Sequence, residues 1–202
     1  MPTVVIPFAG VDGKTRLHAS RRTRRKLSLA MLGDVLAATL AVGTVRVVTS
    51  DPDGAALARE LGVEVVDDPG GGQGPAVASA LAGLEPGAIL IVNADVPCVL
   101  PDDLRALLAA TPAGGVAMVE AFDGTTNALS ISAPTLFAPL YGPDSASRFR
   151  THLAELSVEF FSVAVPNLAD DVDTVADLQR LHLRLGPRSQ MVLADLPVEA
   201  SR

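Results

Sequence analysis

Aspartates stand at two places in this sequence where they could bind a metal ion. Asp95 ends the hydrophobic run "ILIVNAD", and Asp171 and Asp173 belong to the acidic segment "LADDVDTVADL". Mg²⁺ takes oxygen ligands from carboxylates and often shares them with nucleotide phosphates. An aspartate before a helix is commonly a cap, and Asp173 or Thr174 could serve as one, but capping does not require this many carboxylates. We therefore predict that Asp95, with Asp171 or Asp173, binds a divalent cation if the fold brings the two segments together.

Positive charge is concentrated near the N-terminus. Lys14 and Arg16 follow a glycine-containing loop that leaves the first predicted strand, and four arginines and one lysine crowd into residues 21–26. In a chain with a net charge of −7, one basic region suggests a small anionic ligand. The run at 21–26 is typical of the solvated first turns of a helix. Lys14 and Arg16 are therefore the candidates for contacts with phosphate groups.

Small residues that can approach an anion are concentrated between Asp123 and Phe149, in "DGTTNALSISAPTLFAPLYGPDSASRF". Glycine lets backbone N–H groups come close to a phosphate, and Ser145 could begin a helix whose N-terminus attracts negative charge. This segment predicts a phosphate site with a hydroxyl and free backbone N–H groups at Ser145. Ordinary turn chemistry, with Ser145 as an N-cap, explains the same residues, and the sequence leaves both interpretations open.

The composition argues against several classes of protein. Of the 202 residues, 49% are hydrophobic, but no apolar run approaches the roughly 20 residues of a membrane span and no signal-peptide pattern is present. We therefore expect a soluble, cytoplasmic protein. Cys98 is the only cysteine, which excludes an internal disulfide and a multi-cysteine metal site. The net charge of −7 argues against broad nucleic-acid binding.

Hydrophobic β-branched runs alternate with helical patterns, which predicts one α/β domain with a mainly parallel, doubly wound sheet flanked by helices. Predicted strands lie at 3–8, 44–50, 63–68, 88–95, 115–122, 127–132 and 158–165, and predicted helices at 23–42, 54–61, 75–84, 101–110 and 174–185. We place the domain at 1–186 and a C-terminal tail at 187–202, where the periodicity weakens. Ligands of open α/β sheets bind outside the carboxyl ends of the strands, so residues 7–16 and Asp95 should border one crevice.

Six short motifs, taken in order, resemble those of a known family. They are "VIPFAGVDGKTRL", "MLGDVL", "NADVPCVLPDDL", "GTTNAL", "YGPDSASRF" and "DDVDTVADL". Together they resemble the CofC/FbiD guanylyltransferases of coenzyme F-420 biosynthesis, over about residues 4–181. The resemblance implies a single-domain nucleotidyltransferase fold, Rossmann-like and GT-A-like. It also implies transfer of GMP from GTP to phosphoenolpyruvate or 2-phospho-L-lactate, with release of pyrophosphate and with Mg²⁺ as cofactor.

The resemblance also implies roles for individual residues. Lys14, Arg16 and Asp95 would be catalytic, and Asp95 with Asp171 or Asp173 would hold Mg²⁺. The implied nucleotide-binding residues are Pro7, Phe8, Gly13, Lys14, Arg16 and Gly74. The implied cradle for the acceptor's phosphate is Thr126, Gly142 and Ser145.

Two departures from the family pattern leave other functions open. Many relatives have a Leu-Asn pair where this chain has Gly74 and Pro75, and the amide of Gln73 could substitute for the missing one. Relatives also commonly carry a histidine at the position of Phe149. One alternative is a nucleotidyltransferase that acts on a sugar phosphate or on the molybdenum cofactor. The other is a nucleotide-binding module that has lost catalysis.

Overall fold

The computed structural model describes residues 1–10 and 20–195, and its first half alternates strands with helices. The elements of this half are β1 (Thr3–Pro7), α1 (Arg21–Leu40), β2 (Thr44–Val48), α2 (Pro52–Glu60), β3 (Glu64–Val66), α3 (Gln73–Leu81) and β4 (Ile89–Val92). All four residues of β4 are buried, which explains why its sequence is continuously apolar.

The second half contains two adjacent strands and then mainly helices. Its elements are α4 (Pro101–Ala109), β5 (Val116–Glu120), β6 (Thr126–Ile131), α5 (Ser145–Glu155), β7 (Phe160–Ser162), α6 (Pro166–Ala169), α7 (Val175–Leu181) and α8 (Pro187–Ala194), with a 3-10 turn at Pro134–Leu136. The predicted last helix, 174–185, is thus shorter in the structure. Within the described residues, no helix is both long enough and apolar enough to span a membrane.

The sheet positions the carboxyl ends of β1 and β4 beside the start of β6. Across the described part of the chain it has seven strands in the order β3-β2-β1-β4-β6-β5-β7. Strand β6 is antiparallel to β4 and β5, and the other pairs are parallel, which confirms the mainly parallel prediction. Because β6 runs in the opposite direction, Thr126 at its first position lies at the edge where β4 ends and Asp95 follows.

Helix α8 differs from the weakly periodic tail that we predicted after Gly186. Asp34 on α1, only 5% exposed, accepts hydrogen bonds from the backbone N–H groups of Arg188 (3.0 Å) and Ser189 (2.8 Å). Glycine is required at 186, because a Cβ there would lie 2.3 Å from Cγ of Asp34. The cap is 154 residues away from Arg188 in the chain, so no local pattern reveals it. The boundary at 186 itself stays a prediction.

Asp34→Ala is expected to destabilise the protein by about 2 kcal/mol, because it leaves two N–H groups of α8 without their acceptor. The free energy of unfolding, measured by urea titration, tests this. Glu85→Ala removes the same charge from an exposed loop position and should change stability by less than about 0.5 kcal/mol. Equal stabilities of the two variants would contradict a capping role for Asp34.

Candidate active site

Three aspartates meet at the carboxyl end of β4. A carboxylate oxygen from each of Asp95, Asp171 and Asp173 lies within 4.8 Å of the others, and all three residues are half-buried. The backbone N–H of Val172 donates to the carbonyl oxygen of Asp95 (2.9 Å), and this bond ties the acidic loop to the strand end. Oxygens on opposite sides of one Mg²⁺ are separated by about 4.2 Å. The three carboxylates therefore need only small rotations to reach a shared cation.

The other acidic residues of this segment have structural roles. Asp170 is buried and forms ion pairs with Arg180 (2.5 Å) and Arg184 (2.7 Å), which anchor the start of the loop. Thr174, and not Asp173, caps α7, in a capping box with Asp177. Asp170 thus anchors the loop and Asp177 takes part in the cap of α7. Asp171 and Asp173 are the acidic residues of this segment that lie at the cleft.

A cavity of about 260 Å³ lies at the end of β1. Its walls come from the strand ends, from α1 and from the glycine-rich segment before α3, and they include Pro7, Phe8, Gly10, Ser28, Asp68 and Gly72. Gly72 has φ 100° and ψ −175°, a conformation that is essentially restricted to glycine and that starts α3 at the edge of the cavity. Gly10 is the last described residue before the segment 11–19.

A second cavity of about 500 Å³ adjoins the first. Five aspartates line it, and its described lining contains no lysine or arginine. The lining carboxylates are Asp95, Asp123, Asp144, Asp171 and Asp173. Among the described residues, Gln73, Asn93 and Asp95 line both cavities, so the two spaces meet beside the aspartate triad.

Thr126, Gly142 and Ser145 all lie in the wall of the second cavity. Ser145 and Thr126 are at most 1% exposed, and the Ser145 hydroxyl donates to Oγ1 of Thr126 (3.2 Å). The N-cap of α5 is Asp144, so the interpretation of Ser145 as an N-cap is wrong. The prediction of a free backbone N–H at Ser145 is also wrong, because that N–H donates to the carbonyl oxygen of Gly142 (3.1 Å). The Thr126 hydroxyl donates in turn to Sδ of Met118 (3.6 Å), so both hydroxyl protons would have to turn toward a ligand to bind it.

Two titratable groups, Cys98 and Tyr141, are held in their neutral forms. Burial raises the pKa of the Cys98 thiol to about 11, so this cysteine is a packing residue and not a nucleophile. Burial also raises the pKa of Tyr141, whose ring packs edge-to-face on Phe149 at 5.5 Å between centroids. Phe149, the second departure from the family pattern, therefore supports the wall of the cleft.

Comparisons with known proteins agree with this arrangement. Residues 19–160 match the model of the MobA-like NTP transferase domain. A phosphoenolpyruvate guanylyltransferase of Nocardia farcinica is 38% identical over 92% of this chain and 87% of its own length. One of Streptomyces coelicolor is 36% identical over 96% of both chains. This chain belongs to the phosphoenolpyruvate guanylyltransferase family.

Solved structures support the fold of this family member. A putative nucleotide-diphospho-sugar transferase from Desulfovibrio desulfuricans superposes with a TM-score of 0.74 at 16% identity, over 96% of this chain and 95% of the other. A nucleotidyl transferase from Methanothermobacter superposes with a TM-score of 0.67 at 17% identity, over 97% and 99%. The predicted fold class is confirmed, and the chain is a nucleotidyltransferase.

Not every predicted site residue of this guanylyltransferase family member can be located. Gly13, Lys14 and Arg16 lie outside the described residues, so their roles stay predictions. Gly74 is buried at the start of α3, where a Cβ would lie 2.8 Å from Cβ of Pro139. This close approach explains why glycine is present at position 74, and its contact with the nucleotide stays a prediction.

Sequence reasoning missed Asp68 and undervalued Asn93. Asp68 follows β3 and lines the first cavity, with its Oδ1 accepting from the N–H of Gly70 (2.8 Å). Its position after a strand was the available signal, the same one that singled out Asp95. The same signal applies to Asn93, which directly follows β4. The structure places Asn93 between the two cavities.

Proposed function

We propose that this protein transfers GMP from GTP to the phosphate of a small phosphorylated acid, phosphoenolpyruvate or 2-phospho-L-lactate, and releases pyrophosphate. The pathway proposed is coenzyme F-420 biosynthesis, in the cytoplasm. The observation that carries the proposal is the pair of adjoining cavities that share Asp95. Such a pair suits a donor nucleotide on one side and an acceptor on the other. The names of the relatives supply GTP and phosphoenolpyruvate as the pair to test.

The first cavity is assigned to GTP. Pro7 and Phe8 would contact the nucleoside. Gly13, Lys14 and Arg16 would contact the triphosphate, since they follow within six positions of Gly10, which lines this cavity. Asp68 offers a carboxylate in the same cavity. A carboxylate has two acceptor oxygens, which suit the adjacent N–H donors of guanine.

Mg²⁺ fits the aspartate triad. The donors are all carboxylate oxygens, and histidine or cysteine ligands typical of zinc are not among the three. The second cavity is lined by five aspartates, so it repels an anionic acceptor unless cations neutralise them. When bound, Mg²⁺ would neutralise charge on the phosphates and on the leaving pyrophosphate.

The reaction requires positioning more than proton transfer. An oxygen of the acceptor's phosphate is already anionic near neutral pH, so it can attack the α-phosphorus of GTP without a general base. The new P–O bond forms as the bond between the α-phosphorus and the oxygen that bridges to the β-phosphate breaks. The electron pair of the broken bond leaves with pyrophosphate. Thr126 and Ser145 would hold the acceptor's phosphate by turning their hydroxyl protons toward it, away from Met118 and Thr126, which now accept them. Gly142 would leave space for the phosphate.

A panel of acceptors with GTP and Mg²⁺, followed by mass spectrometry of the products, tests the proposal. Phosphoenolpyruvate or 2-phospho-L-lactate should give a guanylylated product and pyrophosphate. Turnover only with a sugar phosphate or only with the molybdenum cofactor would show that this compound, and not a phosphorylated acid, is the acceptor. Tight GTP binding without turnover for every acceptor would indicate a non-catalytic module.

Asp68→Asn is expected to raise the KM for GTP about tenfold, because an amide cannot accept two N–H bonds from guanine as a carboxylate does. The preference for GTP over ITP, which lacks the 2-amino group, should shrink in parallel. Asp67→Asn removes the same charge at an exposed neighbouring residue. It should leave the KM for GTP and the preference for GTP over ITP unchanged. An unaltered KM for GTP in Asp68→Asn would remove this residue from base recognition.

A further inference from the structure

The junction between the two cavities is the place where the transferred group must lie. During nucleotidyl transfer the α-phosphorus bonds to both the acceptor oxygen and the leaving oxygen, so it has to sit between donor and acceptor. Within the described chain, Gln73, Asn93 and Asp95 line both cavities. Asp95 belongs to the aspartate triad, which leaves the two amides to be assigned.

The orientation of Asn93 is determined by the backbone. Its Nδ2 donates to the carbonyl oxygen of Thr126 (3.2 Å) and to Oδ1 of Asn127 (3.3 Å). A carbonyl oxygen can only accept, so the nitrogen of Asn93 must face Thr126 and its oxygen must face the other way. Asn127 is buried and donates in turn to the carbonyl of Ala169 (3.3 Å), just before the acidic loop.

The orientation of Gln73 follows from that of Asn93. Nε2 of Gln73 donates to Oδ1 of Asn93 at 2.6 Å, so the nitrogen end of Gln73 is fixed toward the junction. Both N–H groups of Asn93 are occupied by Thr126 and Asn127, whereas Nε2 of Gln73 has a second N–H. Gln73 is therefore the neutral donor available at the junction.

We propose that Gln73 is a catalytic residue whose second N–H donates to a non-bridging oxygen of the α-phosphoryl group as that group passes from GTP to the acceptor, and that Asn93 is its positioning residue. The proposal rests on nucleotidyl transfer between the two cavities, as set out above. A preorganised donor is most effective where charge develops, and a neutral amide would not be drawn into an ion pair with the neighbouring aspartates. The chain Gln73–Asn93–Asn127 also joins the start of α3 to the loop of Asp171 and Asp173, so donor, acceptor and acidic loop keep one relative geometry.

Gln73→Ala is expected to lower kcat about tenfold, while the KM values for GTP and acceptor change less than about threefold. Asn93→Ala should lower kcat by a smaller factor, because Gln73 is still present but no longer held. Gln179→Ala removes an exposed glutamine on α7 and should behave as wild type. A Gln73→Ala variant with an unchanged kcat, or with only a raised KM for GTP, would overturn the catalytic role.

GTP analogues with sulfur at one non-bridging α-oxygen give a readout that a merely structural role would not change. Sulfur accepts hydrogen bonds poorly, so one diastereomer should slow the wild type more than it slows Gln73→Ala. Equal sulfur effects in both proteins would refute the contact. If wild-type protein gives no turnover with GTP and either phosphorylated acid, the proposed function fails, and the Gln73 comparison then uses the nucleotide and acceptor that the panel identifies.

Discussion

Asp95→Asn is expected to lower kcat by about a thousandfold, since each 1.4 kcal/mol of lost transition-state stabilisation is about a factor of ten and charge neutralisation by a metal contributes several kcal/mol. The substitution keeps the size of the side chain and removes one of three carboxylates that lie within 4.8 Å of one another. The fold should survive, because Val172 bonds to the backbone carbonyl of Asp95 and not to its side chain.

Steady-state kinetics across a Mg²⁺ titration measures the expected loss. Melting temperature gives a second readout without substrate: Mg²⁺ should raise that of the wild type and should have little effect on Asp95→Asn. Asp102→Asn is the matched control, because the side chain of Asp102 is 91% exposed on α4. Wild-type kcat in Asp95→Asn, with the same Mg²⁺ dependence, would remove Asp95 from the mechanism.

Ser145→Ala is expected to raise the KM for the acceptor by roughly one to two orders of magnitude, since a hydrogen bond to a charged group contributes about 1.5 to 3 kcal/mol. The KM for GTP should change much less, because Ser145 lines the second cavity and not the first. The effect of Thr126→Val should not add fully to it, since the two hydroxyls are hydrogen-bonded at 3.2 Å.

Measuring both KM values together with the melting temperature distinguishes binding from stability. Ser147→Ala is the matched control, because Ser147 is exposed two positions further along α5. A loss confined to the melting temperature would make Ser145 a structural residue. A loss confined to GTP would move it to the donor side.

Local sequence patterns determined the alternating elements and several of the site residues. Strands β1 and β4 and helix α1 are evident from apolar runs and periodicity, because burial on both sheet faces leaves a continuous hydrophobic signal. Residues 21–26 form the start of α1, as predicted, with Arg21, Arg22 and Lys26 exposed and Arg24 and Arg25 half-buried. Asp95 stood out because the hydrophobic run "ILIVNAD" ends on its carboxylate. These features depend on neighbours within a few residues, so the sequence alone reveals them.

Only the tertiary structure decided which of these residues meet. The acidic loop is held beside Asp95 by contacts that include the bond from the N–H of Val172 to the carbonyl oxygen of Asp95. The hydroxyls of Thr126 and Ser145 come together because β6 runs antiparallel to β4 and begins at the edge where β4 ends. Sequence spacing carries no information on the direction of β6 in the sheet, so the shared cleft could not be derived from it.

Residues that act through distant partners were hidden for the same reason. Asp34 caps α8 from 154 residues away, and Asn93 orients Gln73 from 20 residues away. Each is an ordinary polar residue in its local sequence, and each acquires its role from a hydrogen bond across elements. Hydrophobic periodicity records which face of an element is buried, whereas a polar contact is fixed by where two elements are placed relative to each other. That placement is a property of the packed sheet and helices, and only the folded chain shows it.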